Sequence, residues 1–102
     1  MTTEDILNER QKTHGEFSEY ALIAQKFKFI IQQNQTQPTR GVGNYLLSTS
    51  QYEALEMICN KMARILNGNP NHKDHWDDIA GYATLISKAL ERMPNAANNT
   101  TN

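Results

Sequence analysis

Apolar residues recur at helical spacing in three stretches of the chain. Phe17, Tyr20, Ala24, Phe27 and Ile31 follow one another at steps of three and four, and Ile23 and Ile30 widen the stripe into an amphipathic helix face. Leu55, Ile58, Met62, Ile65 and Leu66 repeat the pattern, as do Trp76, Ile79, Ala83, Ile86 and Leu90. The helix ends carry their own signals. Thr2 and Asp5, and later Ser48 and Gln51, stand at capping-box spacing. Asn67-Gly68-Asn69-Pro70 closes the second stretch, and Pro94 stops the third, which starts near His72. The first stretch, residues 3–33, is interrupted at His14-Gly15, where a hinge or kink is expected. Residues 34–48 lose the period and are rich in Asn, Gln, Thr, Pro, Gly and Arg. They read as a long surface connection, which either crosses the molecule or forms part of a binding rim.

These elements predict an all-α fold, a small bundle of three main helices with the first interrupted near Gly15. One helical domain is expected over residues 1–93, with a disordered polar tail over 94–102. With 102 residues, 38% of them hydrophobic, there is material for one core only, so completion of the bundle by oligomerisation is expected. Lys plus Arg total 10 against 11 Asp plus Glu, a net charge of −1, which excludes a general nucleic-acid binder. Cys59 is the single cysteine, sits among apolar neighbours, and reads as a buried thiol of a reducing compartment with a raised pKa. No apolar run is long enough to cross a membrane, and the N-terminus has no signal-peptide pattern, so a cytoplasmic protein without a membrane partner is expected.

The polar faces hold the candidate chemistry. Glu53, Glu56, Asn60 and Arg64 fall within about an 80° arc of the second helix, opposite its apolar stripe, with Lys61 at the margin. A solvated surface accounts for such a face, but two carboxylates three residues apart can also share Mg²⁺ with substrate phosphates. Asp74 and Asp78 lie one turn apart on the third helix, with Asp77 beside them, where carboxylates also complement the helix dipole. Asp78 can alternatively pair with Lys61 or Arg64 between helices. Gly81, on the same face, suggests close approach by another helix or by a ligand. Arg10, Lys12 and His14 gather cations next to the Gly15 interruption and are candidates for contacting an anion. His72 and His75 make a metal pair by count only, and His75 is expected to flank the Trp76 stripe. Residues 40–43, Arg-Gly-Val-Gly, lack the context of a phosphate-cradling loop and read as flexible connection.

Three blocks in order carry a resemblance: Arg10-Gln11-Lys12-Thr13-His14-Gly15-Glu16-Phe17, the run from Glu53-Ala54-Leu55-Glu56 to Lys61-Met62-Ala63-Arg64-Ile65-Leu66, and Asp74-His75-Trp76-Asp77-Asp78-Ile79-Ala80-Gly81-Tyr82-Ala83. Over about residues 3–92 the chain resembles small phage and prophage proteins, mostly of unknown function, that are grouped with MazG-like all-α nucleotide pyrophosphatases. The resemblance implies a helical bundle completed by oligomerisation, in which Glu-x-x-Glu on one helix and Glu-x-x-Asp on the next hold Mg²⁺ against a nucleoside triphosphate. Glu53 and Glu56 match the first half. In the second half, aligning on Asp78 puts His75 at the glutamate position, and aligning on Asp77 puts Asp74 there.

The resemblance therefore implies a Mg²⁺-dependent nucleotide pyrophosphohydrolase or a nucleotide binder derived from one. Glu53, Glu56, Asp74, Asp77 and Asp78 would be metal ligands, with Glu53, Glu56 and Asp78 in the catalytic role. Arg10, Lys12, His14, Lys61 and Arg64 would contact the nucleotide or another phosphate-containing small molecule. The alternative is a non-catalytic phage protein in the host cytoplasm that sequesters a host signalling nucleotide or binds a host protein.

Overall fold

Thr2 starts the chain's first helix as the spacing predicts: its hydroxyl accepts from the Asp5 backbone N–H at 3.1 Å, and the Asp5 carboxylate accepts from the Thr2 N–H at 3.2 Å. The computed structural model describes residues 2–35 and 46–92. Within them are four α-helices and no strand: α1 (Thr3–His14), α2 (Phe17–Gln35), α3 (Thr49–Asn67) and α4 (Lys73–Glu91). The expected all-α class holds. The interruption near Gly15 is a complete break, so the first predicted helix is two helices. Gly15 has φ 79° and ψ −174°, a backbone conformation essentially confined to glycine, and its N–H closes α1 by donating to the Gln11 carbonyl at 3.0 Å.

Ser48 caps α3 as expected. Its hydroxyl accepts from the Gln51 N–H at 3.1 Å, and Gln51 Oε1 accepts in return from the Ser48 N–H at 2.9 Å. Just before it, the Leu47 N–H donates to Gln35 Oε1 at 2.7 Å, joining the end of α2 to the approach to α3. The 40–43 stretch of the intervening connection and the expected tail over 94–102 lie outside the described residues. Residues 68–72 turn the chain from α3 into α4, and so short a connection sets these two helices antiparallel. Trp76 Nε1–H donates to the Pro70 carbonyl at 2.8 Å and braces that turn.

α3 is the central helix, packing against both α2 and α4, whereas α1 meets α2 and α3 more sparingly. The seam follows the predicted apolar stripes at Ala24 and departs from them on α3. Among the described residues the buried apolar side chains are small: Ala24 on α2, and Ala54, Cys59 and Ala63 on α3. Small side chains let helix backbones approach closely, but they remove little area from water. The large residues of the predicted stripes remain partly open, with Phe17 73%, Leu66 66% and Trp76 54% exposed. Gly81 shows no close approach by another element, since among the described residues no neighbouring element has an atom within 4 Å of where its Cβ would stand.

Candidate functional site

The Gly15 break sets the geometry of the site. It lets α1 end beside the start of α2 and the end of α3, and Asn67 Nδ2 fastens the turn by donating to the Glu16 carbonyl at 3.0 Å. Glu16 also begins α2: its carboxylate accepts from the Glu19 N–H at 3.1 Å and from the Ser18 hydroxyl. The Ser18 hydroxyl, followed by the Ser18 and Glu19 backbone N–H groups, holds the Glu16 carboxyl below the usual carboxylate range.

Around this turn lies a cavity of about 340 Å³, lined from α1 by Leu7, Arg10, Gln11 and His14, from the turn and α2 by Gly15, Glu16, Phe17 and Tyr20, and from α3 by Arg64. The Arg64 guanidinium stands 5.1 Å from the centre of the Tyr20 ring, an arrangement in which the ring face attracts the cation and keeps its plane oriented. Phe17 and Tyr20, with ring centres 5.7 Å apart, add an aromatic wall. The stripe pattern assigns these two residues to the core, yet they line a cavity because the chain turns at Gly15. No local signal marks that difference.

Of the five expected anion contacts, Arg10, His14 and Arg64 meet at this cavity. Lys12 does not line it; its Nζ lies 3.5 Å from Glu9 Oε1 on the exposed side of α1. Lys61 is nearly enclosed and binds Asp78, Nζ to Oδ2 at 2.8 Å, realising the interhelical pair considered above. That hydrogen bond, together with the attraction of the Lys61 charge, lowers the Asp78 carboxyl, and His75 and Arg64 add smaller contributions in the same direction.

The expected metal carboxylates are dispersed along the two helices. Asp77 accepts from Lys73 Nζ at 2.7 Å, and Asp74 Oδ2 lies 3.8 Å from His72 Nε2. Glu56 is half-buried, and Glu53 lines a separate hollow with Leu47, Ser48, Thr49 and Tyr52. With Asp78 opposite Lys61 in an antiparallel pair, Glu53 lies about 12 Å further along α3, and Asp74 is displaced in the other direction along α4. Among the described residues no group of three or more His, Cys, Asp or Glu side chains is arranged to hold a metal ion. The five expected ligands therefore do not converge on one point among the described residues. Asn60, on the same α3 face, is half-buried; its Oδ1 is inaccessible and has no hydrogen-bond partner among the described residues. Cys59 is buried as expected, and burial pushes its thiol up.

The residue that sequence reasoning placed elsewhere is His75. It is only 2% exposed, the most deeply buried polar side chain described, and its Nε2 lies 3.2 Å from Nδ1 of His14. The ring of His72 packs beside both, its centre 4.7 Å from that of His75 and 6.4 Å from that of His14. All 3 histidines of the chain thus gather at the end of α1 and the start of α4, although no spacing in the sequence connects His14 with the other two.

No helix among the described residues is long and apolar enough to cross a membrane. Neither a curated protein nor a solved structure matches the chain. Residues 1–90 match a family described as a domain of unknown function, DUF6378, and the chain with its Gly15-centred cavity belongs to that family.

Proposed function

We propose that this DUF6378 chain binds a nucleotide in the cavity between α1, α2 and α3. The aromatic base lies against Phe17 and Tyr20, and the phosphates lie against Arg10, His14 and Arg64. The observation that carries this reading is the convergence of two guanidiniums, an imidazole and two aromatic rings on one cavity of about 340 Å³, within the range of small-molecule sites. Guanidinium groups match phosphate oxygens in pairs, and Tyr20 holds the Arg64 plane ready for that contact. The Glu16 carboxylate at the rim is occupied by Ser18 and Glu19, which tempers its repulsion of an anion.

This reading is the nucleotide-binder form of the MazG-like resemblance. A metal-dependent pyrophosphohydrolase requires the acidic residues of α3 and α4 to share an ion, and the Lys61–Asp78 and Lys73–Asp77 pairs favour binding without that ion. Calorimetric titration with ribonucleoside and deoxyribonucleoside mono- and triphosphates, and with cyclic and linear signalling nucleotides, tests it with and without EDTA. Binding that survives EDTA is expected. Arg10→Ala and Arg64→Ala each weaken it about 10- to 100-fold, as loss of a charge-assisted contact does, while Lys12→Ala leaves it unchanged. Absence of affinity for every nucleotide, with Mg²⁺ supplied, overturns the reading. Mg²⁺-dependent release of pyrophosphate would establish the hydrolase instead.

A further inference from the structure

Among the described residues, α1 is the helix that buries least. Over residues 3–12 every one of its side chains is exposed, whereas α2, α3 and α4 each bury at least one residue. Its 12 residues include only two large apolar ones, Ile6 and Leu7, and both are exposed. A helix this short is marginal in water and owes its order to packing rather than to propensity. Yet α1 supplies Leu7, Arg10, Gln11 and His14, four of the nine residues that line the cavity. One wall of the site thus stands on the element with the smallest share in the core.

The turn after α1 fixes where movement starts. The Glu16 carbonyl accepts from Asn67 Nδ2 at 3.0 Å, and Gly15 lies so close to the Asn67 carbonyl that a Cβ would overlap it. The Glu16 carboxylate accepts from the Glu19 N–H and so belongs to the start of α2. Gly15 and Glu16 are therefore held to α2 and α3, and the chain pivots on the N-terminal side of Gly15, where a φ of 79° suits glycine alone. The capping box at the other end, Thr2 with Asp5, is made within α1 itself and ties it to no neighbour. His14 meets His75 of α4 at 3.2 Å and serves as the latch.

We infer that α1 is a lid on the cavity: it opens by local unfolding as far as the Gly15 pivot, at a free energy below that of global unfolding, and a ligand in the cavity orders it. The inference rests on the nucleotide reading for the identity of that ligand. Opening withdraws the α1 wall and bares Phe17, Tyr20 and Arg64, which stay in place on α2 and α3 and give a base its first contact. Closing rebuilds the wall around the bound molecule. Contacts from α1 exist only in the ordered state, so binding and ordering are coupled.

Amide hydrogen exchange followed by NMR on the full chain tests this. Without ligand, the hydrogen-bonded amides of α1 are expected to exchange about 100-fold or more faster than the slowest amides of α3, each relative to an unstructured peptide. Ala80→Gly, an exposed change on α4 outside the cavity wall, separates local from global opening. It quickens the slowest α3 amides about fivefold and leaves those of α1 as they were. Equal quickening in both helices overturns the inference. If that variant fails to fold, the urea dependence of exchange in the wild type decides, because local opening exposes little surface and responds weakly to urea. A response as steep in α1 as in α3 overturns the inference. The tightest-binding nucleotide of the calorimetric panel, at about 100 times its Kd in EDTA, slows the α1 amides about 100-fold. Binding with α1 exchange unchanged overturns the lid and leaves the nucleotide reading standing. Absence of binding across the panel overturns the reading and the inference together.

Discussion

His14 Nδ1 lies 3.2 Å from His75 Nε2, so a contact between residues 61 apart in sequence fastens the end of α1 to α4. Replacing either partner removes this contact from the other imidazole, and the two effects should not add. A double-mutant cycle of His14→Ala and His75→Ala is expected to show a coupling of about 1 kcal/mol in urea unfolding. The His75→Ala change alone should be the more damaging, because His75 is 2% exposed and its removal leaves a hole between α4 and its neighbours. A coupling of zero would mean that the two rings are neighbours without a bond.

The Lys61–Asp78 pair sets an acid dependence of stability. Lys61 holds the Asp78 carboxyl below its ordinary value, so in the acid range the folded chain binds fewer protons at this site than the unfolded chain. The contribution is fully present above the unfolded carboxyl value of about 3.9 and is lost as pH falls through the lower folded value. Urea midpoints of the wild type and Asp78→Asn should therefore differ by a constant amount between pH 7 and pH 5, with the gap closing below about pH 4. A gap that stayed constant into strong acid would mean that the pair contributes through shape rather than charge.

Gly15 admits no side chain. Its φ of 79° with ψ of −174° disfavours any L-residue, and a methyl group at its Cα would overlap the Asn67 carbonyl oxygen and side chain. Gly15→Ala is expected to cost about 2 kcal/mol or more, from backbone strain together with displacement of the α3 terminus. It should also widen the cavity mouth, since Arg10 and His14 ride on α1. Chemical denaturation gives the first quantity, and nucleotide affinity reports the second.

How much of this could be read along the chain varies with the range of the interaction. The Thr2–Asp5 and Ser48–Gln51 boxes, the break at His14-Gly15 and the ends of α3 and α4 are set within four or five residues, and local chemistry displays them. The seam of the bundle is less legible. Periodicity includes Ala24 but otherwise points to the larger apolar residues, whereas close helix approach selected Ala54, Cys59 and Ala63 from positions adjoining the α3 stripe. In the site, Arg10, His14 and Arg64 could be nominated by charge. Tyr20 was concealed in an apolar stripe, and His75 lay beside a tryptophan that looked like the core residue. Only the fold-back of α1 at Gly15 brings His14 to His75. The acidic residues show the converse: Glu53-x-x-Glu56 and Asp74 to Asp78 are conspicuous in sequence, but their positions along antiparallel helices keep them apart in one chain.

The same small seam leads to an expectation about assembly. Phe27, Ile58, Met62, Ile65, Leu66, Trp76 and Ile79, from α2, α3 and α4, line an apolar groove of about 350 Å³. Among the described residues no large apolar side chain is fully buried, so three alanines and a cysteine make up the buried apolar set. Burying a Leu, Ile or Phe side chain contributes about 1.5–3 kcal/mol, and leaving the groove in water forgoes several such contributions in a domain with few others. A net charge of −1 offers little repulsion between copies. Two copies are therefore expected to cover each other's grooves, with folding and association coupled, so that the thermal midpoint rises with protein concentration. Light scattering should give at least twice the 11.6 kDa of one chain, and Leu66→Glu should shift the mass toward the monomer and lower the midpoint. Trp76, 54% exposed in the single chain, should show blue-shifted emission in the wild type and a red shift in that variant. A concentration-independent midpoint together with a monomeric mass would show that the groove stays open in solution.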